Sequence, residues 1–566
     1  MRKPDTLVYG LNEIPPPLVT LGNAVQHVAL IGINVVYPLL VFRAAGASTA
    51  LVANLIAVGL LVLGAGTILQ WMRRGPVGSG YLCPATFTGA YLGPSLLAVK
   101  LGGLPLLFGM TLFGGVMEVI VAPLLNRLRA IFPTEISGLV IFMIGLGAAI
   151  AGLRSLIGAH AEPVTSSEWW VAGATLATMA ALNVWGKGSA KMLCALIGLT
   201  VGYVVAAMAG LFGAAQLTQV EGASWIAVPN LAHMAWSFDA AAIAPFAIAC
   251  LAVSMKAVGT ITMCQRMNDA DWVRPDMKSI TRGVLADGAT TIVSGLFGGY
   301  GTNTSTPSVG LAQATGMASR RVAAAVAVVF ILLGLTPKFA TLFAVMPRAV
   351  MAAALLFTVC FILINGLQVM TSRLLDARKT LLLGLSIVAG VAVEVFPDIG
   401  ASAPQGLRPI VGSSLVFATV IALGLNLLFR LGVRRTVRLA VVPGKIDPHK
   451  IEDFLRKNGR TWGARPDVIS RATFGVSQLV EAVAENCWRE GEMMIEASYD
   501  EFNLDVDLSY QGEALEFPQQ RPSDQEIRDT DEGMRKLAGF MLRHNADRAR
   551  SEVRAGRATV HFHFDH

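Results

Sequence analysis

Residues 287–321 read DGATTIVSGLFGGYGTNTSTPSVGLAQATGMASRR, and this stretch decides the fold of the chain. An apolar run gives way at residues 298–308 to Gly, Thr, Asn, Ser and Pro, and a second apolar run begins at about Val309. Lipid offers no hydrogen-bond partner, so non-helical backbone at bilayer depth persists only where protein buries it or a watery cavity faces it. The stretch 298–308 is therefore predicted to form a binding site inside a membrane; the alternative is a polar loop outside it.

Glycines and short, uncharged polar side chains fill this stretch. Glycine lets the main chain approach a ligand closely, and the serine, threonine and asparagine side chains offer donors and acceptors. A helix that starts near Val309 would point its first N–H groups, and the positive end of its dipole, back into the gap. Broken helices of this kind form the substrate sites of secondary transporters.

The composition excludes a soluble protein of this size. The chain has 566 residues, of which 54% are hydrophobic and 15% are charged, and its mean hydropathy is +0.58. A membrane protein with several spans is predicted. The net charge of +7 does not indicate nucleic-acid binding, because the basic residues are strung between apolar segments. The six cysteines have no metal-ligand spacing, so neither a metal nor a cofactor is predicted.

About fourteen apolar segments follow one another along the chain. They lie at roughly 20–42, 49–72, 80–97, 103–125, 135–157, 169–186, 192–213, 241–265, 281–298, 304–316, 322–344, 348–370, 379–397 and 412–431. The third and the tenth are short and interrupted by Gly, Pro and Thr. Two short segments at corresponding positions of the two halves of the chain indicate two inverted seven-span repeats. The prediction is therefore an all-α polytopic membrane protein with a transporter site at the midplane of the membrane.

Lysine and arginine are concentrated in alternate connections between these segments. The positive-inside rule then places both termini in the cytoplasm. The predicted domains are a cytoplasmic N-terminal segment (1–19), a transmembrane domain (20–432) and a cytoplasmic C-terminal domain (439–566).

The C-terminal domain is predicted to be a small α+β unit, because strand-like and amphipathic helical runs alternate there. The strand-like runs are 437–442, 493–497, 504–508 and 558–564, and the helical runs are 448–457, 467–489 and 531–554. His561, His563 and His566 alternate near the end of the chain, which suits either a metal site or an exposed strand face; the exposed face is favoured.

A second set of residues carries a family resemblance. The residues are Pro307, Ser308, Gly310, Thr315 and Gly316. They resemble the signature of the nucleobase/ascorbate transporter family. That signature begins with Gln, Glu or Pro, followed by Asn, any residue and Gly; after four more residues come Thr and a small or basic residue. Ser308 stands in place of the Asn. Further matches are Tyr9, Pro15, Pro16, Gln26, His27, Asp287, Gly288 and residues 315–320. Over nearly all of residues 9–432 the chain resembles this family, the xanthine and uracil permeases.

The resemblance implies a fourteen-span fold of two inverted repeats. In such a fold a core domain (spans 1–4 and 8–11) moves against a gate domain (spans 5–7 and 12–14), and the substrate lies between two short strands. It also implies a homodimer in the bacterial inner membrane. Family members carry a substrate-binding glutamate in a Glu-x-x-Gly-Asp pattern, where this chain has Lys256 and Thr260 instead of the two acids.

The predicted substrate contacts are Lys256, Pro307, Ser308, Phe87, Thr306 and Gly310, and the predicted coupling or supporting residues are Asp287, His27 and Thr260. Lys256 lies mid-span, where an ammonium costs about 2.5–3.5 kcal/mol on insertion scales. Either an ion pair with Asp287 or an anionic or carbonyl-rich ligand is expected to compensate it. His27 is expected to be buried and bonded to an adjacent span. Phe87 either stacks on a planar base or packs in the core.

The C-terminal domain faintly resembles the ATPase fold of the histidine-kinase-type anti-sigma-factor kinases, through residues 477–491 and the helix near residue 533. Glu481 and Asn486 are one residue away from the spacing of that fold's metal-binding helix, so no ATP hydrolysis is expected.

These observations predict a secondary transporter and not an enzyme. It would move a purine or pyrimidine base such as xanthine, urate or uracil through a lipid membrane by alternating access, with a proton or another ion as co-transported partner. The C-terminal domain would be regulatory and could bind a cytoplasmic protein. Two alternatives stay open: an anion transporter on the related sulfate-permease architecture, and a membrane sensor with a transporter-like core.

Overall fold

The structure is a computed structural model. It describes residues 2–72, 75–125, 133–157, 164–231, 234–272, 275–372, 375–396, 398–404, 407–429, 435–442, 448–462, 464, 466–499, 503–522, 531–554 and 557–565. The chain divides into two compact units, Met1–Asn426 and Leu427–His566.

Within the described residues, the first unit is mainly helical and has two three-residue strands. Its helices are α1 (Pro17–Gly32), α2 (Val36–Ala44), α3 (Thr49–Trp71), α4 (Leu92–Val121), α5 (Thr134–Ile157), α6 (Ser166–Trp185), α7 (Ser189–Met192), α8 (Cys194–Met208), α9 (Ala214–Gly222), α10 (Ala240–Asn268), α11 (Met277–Leu296), α12 (Thr306–Thr315), α13 (Arg320–Gly334), α14 (Pro337–Ala344), α15 (Arg348–Met370), α16 (Ala377–Val395), α17 (Asp398–Ser402), α18 (Arg408–Val411) and α19 (Ser414–Phe429). The strands are β1 (Ala85–Phe87) and β2 (Thr302–Thr304).

Six helical stretches of the described residues are long and apolar enough to cross a membrane. They are Pro17–Ala44, Thr49–Trp71, Gly89–Leu124, Glu135–Ile157, Ala240–Asn268 and Arg348–Met370. Helices α13 and α14 pass the same test as a pair, bent by 76°. The predicted helical, polytopic membrane architecture is therefore confirmed. The count of fourteen spans stays a prediction, since helices such as α8 and α19 have only 15 and 16 residues.

A strand lies within the first of the two short predicted segments (80–97) and another ends at the start of the second (304–316), and each strand leads into a helix. Strand β1 is followed by a 3-10 turn (Gly89–Tyr91) and α4, whereas β2 leads into α12. Helix α4 is itself interrupted at Gly103, whose φ of +66° favours glycine. Helix α12 begins at Thr306, three residues before the predicted start, because the Ser305 side chain caps it by accepting the Ser308 N–H at 3.4 Å.

Glycines let the long helices approach closely. A Cβ built on Gly138 of α5 would lie 2.3 Å from the Met370 nitrogen, and one on Gly366 of α15 would lie 2.4 Å from the Phe142 nitrogen. Small residues at crossing points allow helices to pack in lipid, where burial of apolar surface offers no net gain. This packing explains why the glycines fall inside apolar segments and do not end them.

The second unit is an antiparallel five-stranded sheet with helices packed against it. Its elements are β3 (Arg435–Val441), α20 (Pro448–Trp462), α21 (Pro466–Asn486), β4 (Trp488–Tyr499), β5 (Asn503–Gly512), α22 (Asp531–Leu542), β6 (Arg548–Arg554) and β7 (Arg557–Asp565). The strand order is β3-β4-β5-β7-β6. Alternate residues of β5 and β7, such as Val506 and Phe562, are fully buried in one core with Leu479 and Val483 of α21.

One predicted element of this unit is wrong. The helix predicted for 531–554 ends at Leu542, and the chain then forms strand β6, which pairs with β7 from Arg548 opposite His563 to Arg554 opposite Arg557. The local sequence is rich in Arg, Ala and Glu, which favour helices. Pairing with a neighbouring strand overrides this preference, because cross-strand contacts decide whether a strand forms.

The alternating histidines lie on the face of β7 opposite the buried residues. His561 Nδ1 lies 2.7 Å from an Asp507 oxygen, and His563 Nδ1 lies 2.7 Å from an Asp505 oxygen. Both histidines are half-buried. Within the described ranges no group of three or more His, Cys, Asp or Glu side chains could hold a metal ion. His566 lies outside those ranges.

Candidate functional site

Strands β1 and β2 form an antiparallel pair inside the helical unit. Ala85 lies opposite Thr304, and Phe87 lies opposite Thr302. The pair continues at each end, because the Ser305 N–H donates to the Pro84 carbonyl at 2.9 Å and the Thr88 N–H donates to the Gly301 carbonyl at 3.3 Å. Residues far apart in sequence therefore meet where both short segments leave the helical conformation, as the family resemblance implies.

Polar side chains from neighbouring elements hold this strand pair. Asn303 Nδ2 donates to the Val253 carbonyl of α10 at 3.0 Å, and Asn34 Nδ2 donates to Thr86 Oγ1 at 2.8 Å. The hydroxyl oxygens of Thr291 on α11 and Thr302 lie 2.9 Å apart. These bonds satisfy groups that lipid would leave unpaired. Their residue types were visible in the sequence, but their partners were not.

Lys256, Thr260 and Thr306 lie together beside the strand pair. Thr260 Oγ1 donates to the Lys256 carbonyl at 3.0 Å, and it lies 2.6 Å from Thr306 Oγ1 at the start of α12. Lys256 therefore sits one helical turn before the residue that binds the N-terminus of α12. The positive end of that helix dipole and the ammonium favour negative charge in the same region.

Lys256 is half-buried and forms no ion pair with Asp287 among the described residues. The two charges interact electrostatically across a longer separation. Of the two expectations for Lys256, a direct ion pair with Asp287 is therefore wrong. Asp287 already accepts two hydrogen bonds, which hold its carboxylate away from the lysine.

Asp287 is buried and ties three elements together. One carboxylate oxygen accepts from Gln70 Nε2 of α3 at 2.9 Å, and the other accepts from the Thr304 N–H of β2 at 3.3 Å. Gln70 Nε2 also donates to the Gly283 carbonyl of α11 at 2.7 Å. Sequence reasoning missed Gln70, although an amide inside the apolar segment 49–72 was a usable signal.

The remaining predicted contacts divide into open and buried positions. Pro307 and Gly310 lie exposed on α12, and a Cβ added at Gly310 would meet nothing within 4 Å. Ser308 is fully buried between them, and its hydroxyl has no hydrogen-bond partner among the described residues. Pro307 and Gly310 are thus accessible from outside the protein, and Ser308 is not.

Phe87 and His27 are both part of the protein interior. The Phe87 ring is 1% exposed, and it meets Tyr300 edge to face with ring centroids 6.1 Å apart. In this conformation Phe87 packs in the core and does not offer a face for stacking. His27 is buried as expected, but its predicted bond to an adjacent span is wrong, because neither ring nitrogen has a partner among the described residues.

Comparison with known proteins gives similarity over most of the helical unit. The profile of the family described as "Permease family" (Xan_ur_permease) matches residues 19–399. A putative purine permease of Clostridium perfringens (strain 13 / Type A) is 28% identical over 425 residues, which cover 74% of this chain and 92% of that protein. The xanthine permease XanP of Escherichia coli (strain K12) is 27% identical over 439 residues, covering 75% of this chain and 94% of that protein.

A third relative and one solved structure extend the comparison. The uric acid permease PucJ of Bacillus subtilis (strain 168) is 26% identical over 423 residues, covering 72% of this chain and 92% of that protein. The transmembrane domain of a cyanobacterium bicarbonate transporter, BicA, aligns with a TM-score of 0.47 at 16% identity, covering 74% of this chain and 100% of that chain.

Proposed function

Because this chain belongs to the permease family, whose profile covers residues 19–399, we propose that it is a secondary transporter that carries a nucleobase across the membrane. The similar proteins from three bacteria are named as purine, xanthine and uric acid permeases. Xanthine and urate are the favoured substrates, and uracil is a further candidate. A bacterial inner membrane is the corresponding location.

One observation carries the preference for oxidised purines. Lys256 has no ion pair among the described residues, and its backbone carbonyl accepts from Thr260, the residue that contacts Thr306 at the start of α12. In a site of low dielectric, a fixed cation interacts far more strongly with a ligand than it would in water. A base that is anionic or rich in carbonyl oxygens should therefore bind better than adenine or cytosine.

Uptake of labelled compounds tests the proposal. Cells that express the protein are expected to accumulate xanthine or urate with saturable kinetics, and unlabelled urate should compete while adenine should not. Sulfate uptake without purine uptake would favour the anion-transporter alternative, which Lys256 also supports. Binding of a purine without transport would favour the sensor.

The finer architecture belongs to the same proposal. Two inverted seven-span repeats would place β1 with α4 and β2 with α12 at corresponding positions, and the antiparallel pairing of the two strands supports this arrangement. The core domain would comprise spans 1–4 and 8–11, and the gate domain spans 5–7 and 12–14. The packing of α5 against α15 through Gly138 and Gly366 joins two spans of that gate. A homodimer through the gate domains is the expected assembly.

The orientation of the chain is a separate prediction. In a cysteine-free background, single cysteines near residues 188, 275 and 375 are expected to react with an impermeant maleimide only after the membrane is opened, because arginine and lysine surround them. A cysteine near residue 404 is expected to react in intact cells. The reverse pattern would place both termini outside. Two further predicted positions, near 160 and 500, lie outside the described residues.

The domain predicted at 439–566 is proposed to regulate transport. Since strand β3 starts at Arg435, a truncation is best placed after residue 432. The truncated protein is expected to insert and to bind substrate with unchanged affinity, while its transport rate changes. Ligand binding to detergent-solubilised protein and uptake by cells measure the two properties. Loss of binding in a truncated protein that inserts normally would show that the domain contributes to the site.

A further inference from the structure

A buried acid outside the candidate site has no compensating partner. Glu118 on α4 is 0% exposed, and neither of its carboxylate oxygens has a hydrogen-bond partner among the described residues. An ionised carboxylate in such a place is strongly disfavoured unless a charge or several donors compensate it. Asp287, by contrast, has two donors and interacts with Lys256. Among the described residues, Glu118 is therefore a buried acid that no hydrogen-bond donor compensates.

Other polar groups converge on Glu118 from separate elements. The Tyr91 hydroxyl is buried without a partner among the described residues, and it would lie 3.0 Å from a Cβ built on Gly114, one turn before Glu118. Glu118 interacts electrostatically with Asp287 of α11 and with Cys250 of α10. It also interacts electrostatically with Tyr91, which lies just before α4. These are the titratable groups that face it from the elements packed against α4.

We infer that Glu118 binds the proton that moves together with the substrate. The proton would sit on a carboxyl oxygen of Glu118, entering from one aqueous side and leaving to the other as the carrier changes its opening. This inference rests on the proposed transport function and adds the coupling ion and its binding residue.

A metal cation fits this place less well than a proton. Hard cations such as Mg²⁺ and Ca²⁺ take about six or more oxygen ligands, whereas Glu118 and Tyr91 offer three oxygen atoms. Within the described ranges no group of three or more His, Cys, Asp or Glu side chains could hold a metal ion. A proton needs only the carboxylate, and it removes the charge that burial disfavours.

The charges near Glu118 also give the sign of the coupling between substrate and proton. Lys256 interacts with Asp287, and Asp287 interacts with Glu118. An anionic or carbonyl-rich base bound at Lys256 would offset the positive charge of the ammonium. The ammonium would then stabilise the negative charge of Asp287 less. The extra negative charge then favours a proton on Glu118. Substrate and proton would therefore bind cooperatively, as a carrier that moves both in one direction requires.

The test uses full-length protein in liposomes that contain a pH-sensitive dye. Adding xanthine or urate outside wild-type liposomes is expected to acidify the interior. In Glu118→Gln the acidification should fall to the background of empty liposomes, whereas exchange of labelled for unlabelled substrate should be less affected. Glu118→Asp, which keeps an acid, should restore part of the proton movement. Thr111→Val is the matched control, because it removes from the same helix a buried hydroxyl that has no hydrogen-bond partner in the described part of the chain; it should behave as wild type.

Two results would overturn the inference. One is wild-type acidification by Glu118→Gln. The other is uptake that follows a sodium gradient and not a proton gradient.

An infrared measurement separates this inference from the transport proposal. Wild-type protein is expected to show the carbonyl stretching band of a protonated carboxylic acid at neutral pH, and this band should be weaker in Glu118→Gln. This difference needs no substrate, so it supports a proton on Glu118 even if the substrate is not a purine. If the two spectra match, Glu118 carries no proton and the inference fails. A thermal unfolding curve for each variant shows that it is folded.

Discussion

Replacing Lys256 with methionine is expected to weaken the binding of xanthine and urate by about 100-fold or more. A hydrogen bond to a charged group contributes about 1.5–3 kcal/mol, and about 2.7 kcal/mol corresponds to a factor of 100 in the dissociation constant. Methionine keeps the length and flexibility of the side chain and removes only the charge. Calorimetry or a scintillation proximity assay on purified protein measures the affinity directly, without depending on transport.

Two variants show whether the loss is specific. Lys256→Arg keeps the charge and should retain measurable binding. Thr262→Val on the same helix removes a hydroxyl whose one hydrogen bond among the described residues goes to the Val258 carbonyl of its own helix, so it should bind as wild type. Unchanged affinity in Lys256→Met would contradict the proposed contact and leave the lysine as a distant electrostatic partner of Asp287. In that case the variant should lose thermal stability and not affinity.

Replacing Gly301 with alanine is expected to disrupt the strand pair and with it the whole candidate site. A Cβ at Gly301 would lie 2.1 Å from a ring carbon of Tyr91, whose ring is fully buried and packs against Phe246. Overpacking of this kind costs about 1–3 kcal/mol, and more where the neighbours cannot move. The folded fraction in the membrane and the midpoint of thermal unfolding in detergent should both fall clearly, and ligand binding should be lost.

Gly310→Ala is the matched control for this prediction. Gly310 lies nine residues further along the same segment, and a Cβ there would meet nothing within 4 Å. Alanine is favoured over glycine inside a helix by about 1 kcal/mol, so this variant should be as stable as wild type or slightly more stable. If Gly301→Ala unfolds at the wild-type temperature, the close contact with Tyr91 is not required for the fold.

The sequence predicted the parts of this molecule that depend on local patterns. The membrane class follows from hydropathy, and the break near residue 300 follows from the polar and glycine residues there. Lys256 and Thr260 were selected from one sequence pattern and Thr306 from another, and the Thr260 and Thr306 hydroxyls meet in the structure. The pairing of the two short strands could be expected only through the family resemblance, since no local pattern shows which distant segment is the partner.

Other features depend on three-dimensional contacts and could not be read from the chain. Strand β6 carries a helix-favouring sequence and is a strand because it pairs with β7. Glu118 was overlooked, although it is the sole acid of the apolar run 103–125. An acid near the end of a span often reaches water. Glu118 is instead fully buried, because α4 packs against α10 and α11.

The contacts around β2 and the start of α12 also have a mechanical consequence. They are made with Gln70 through Asp287, with Val253 and Thr260 of α10, and with Thr291 of α11. A carrier that works by alternating access must move these elements together as one rigid body. If one of them moved alone, hydrogen bonds would break that lipid cannot replace. The candidate site would then keep one arrangement of residues on both sides of the membrane. Its affinity for substrate would be set by the same atoms during loading and release, so the direction of net transport would come from the gradients alone.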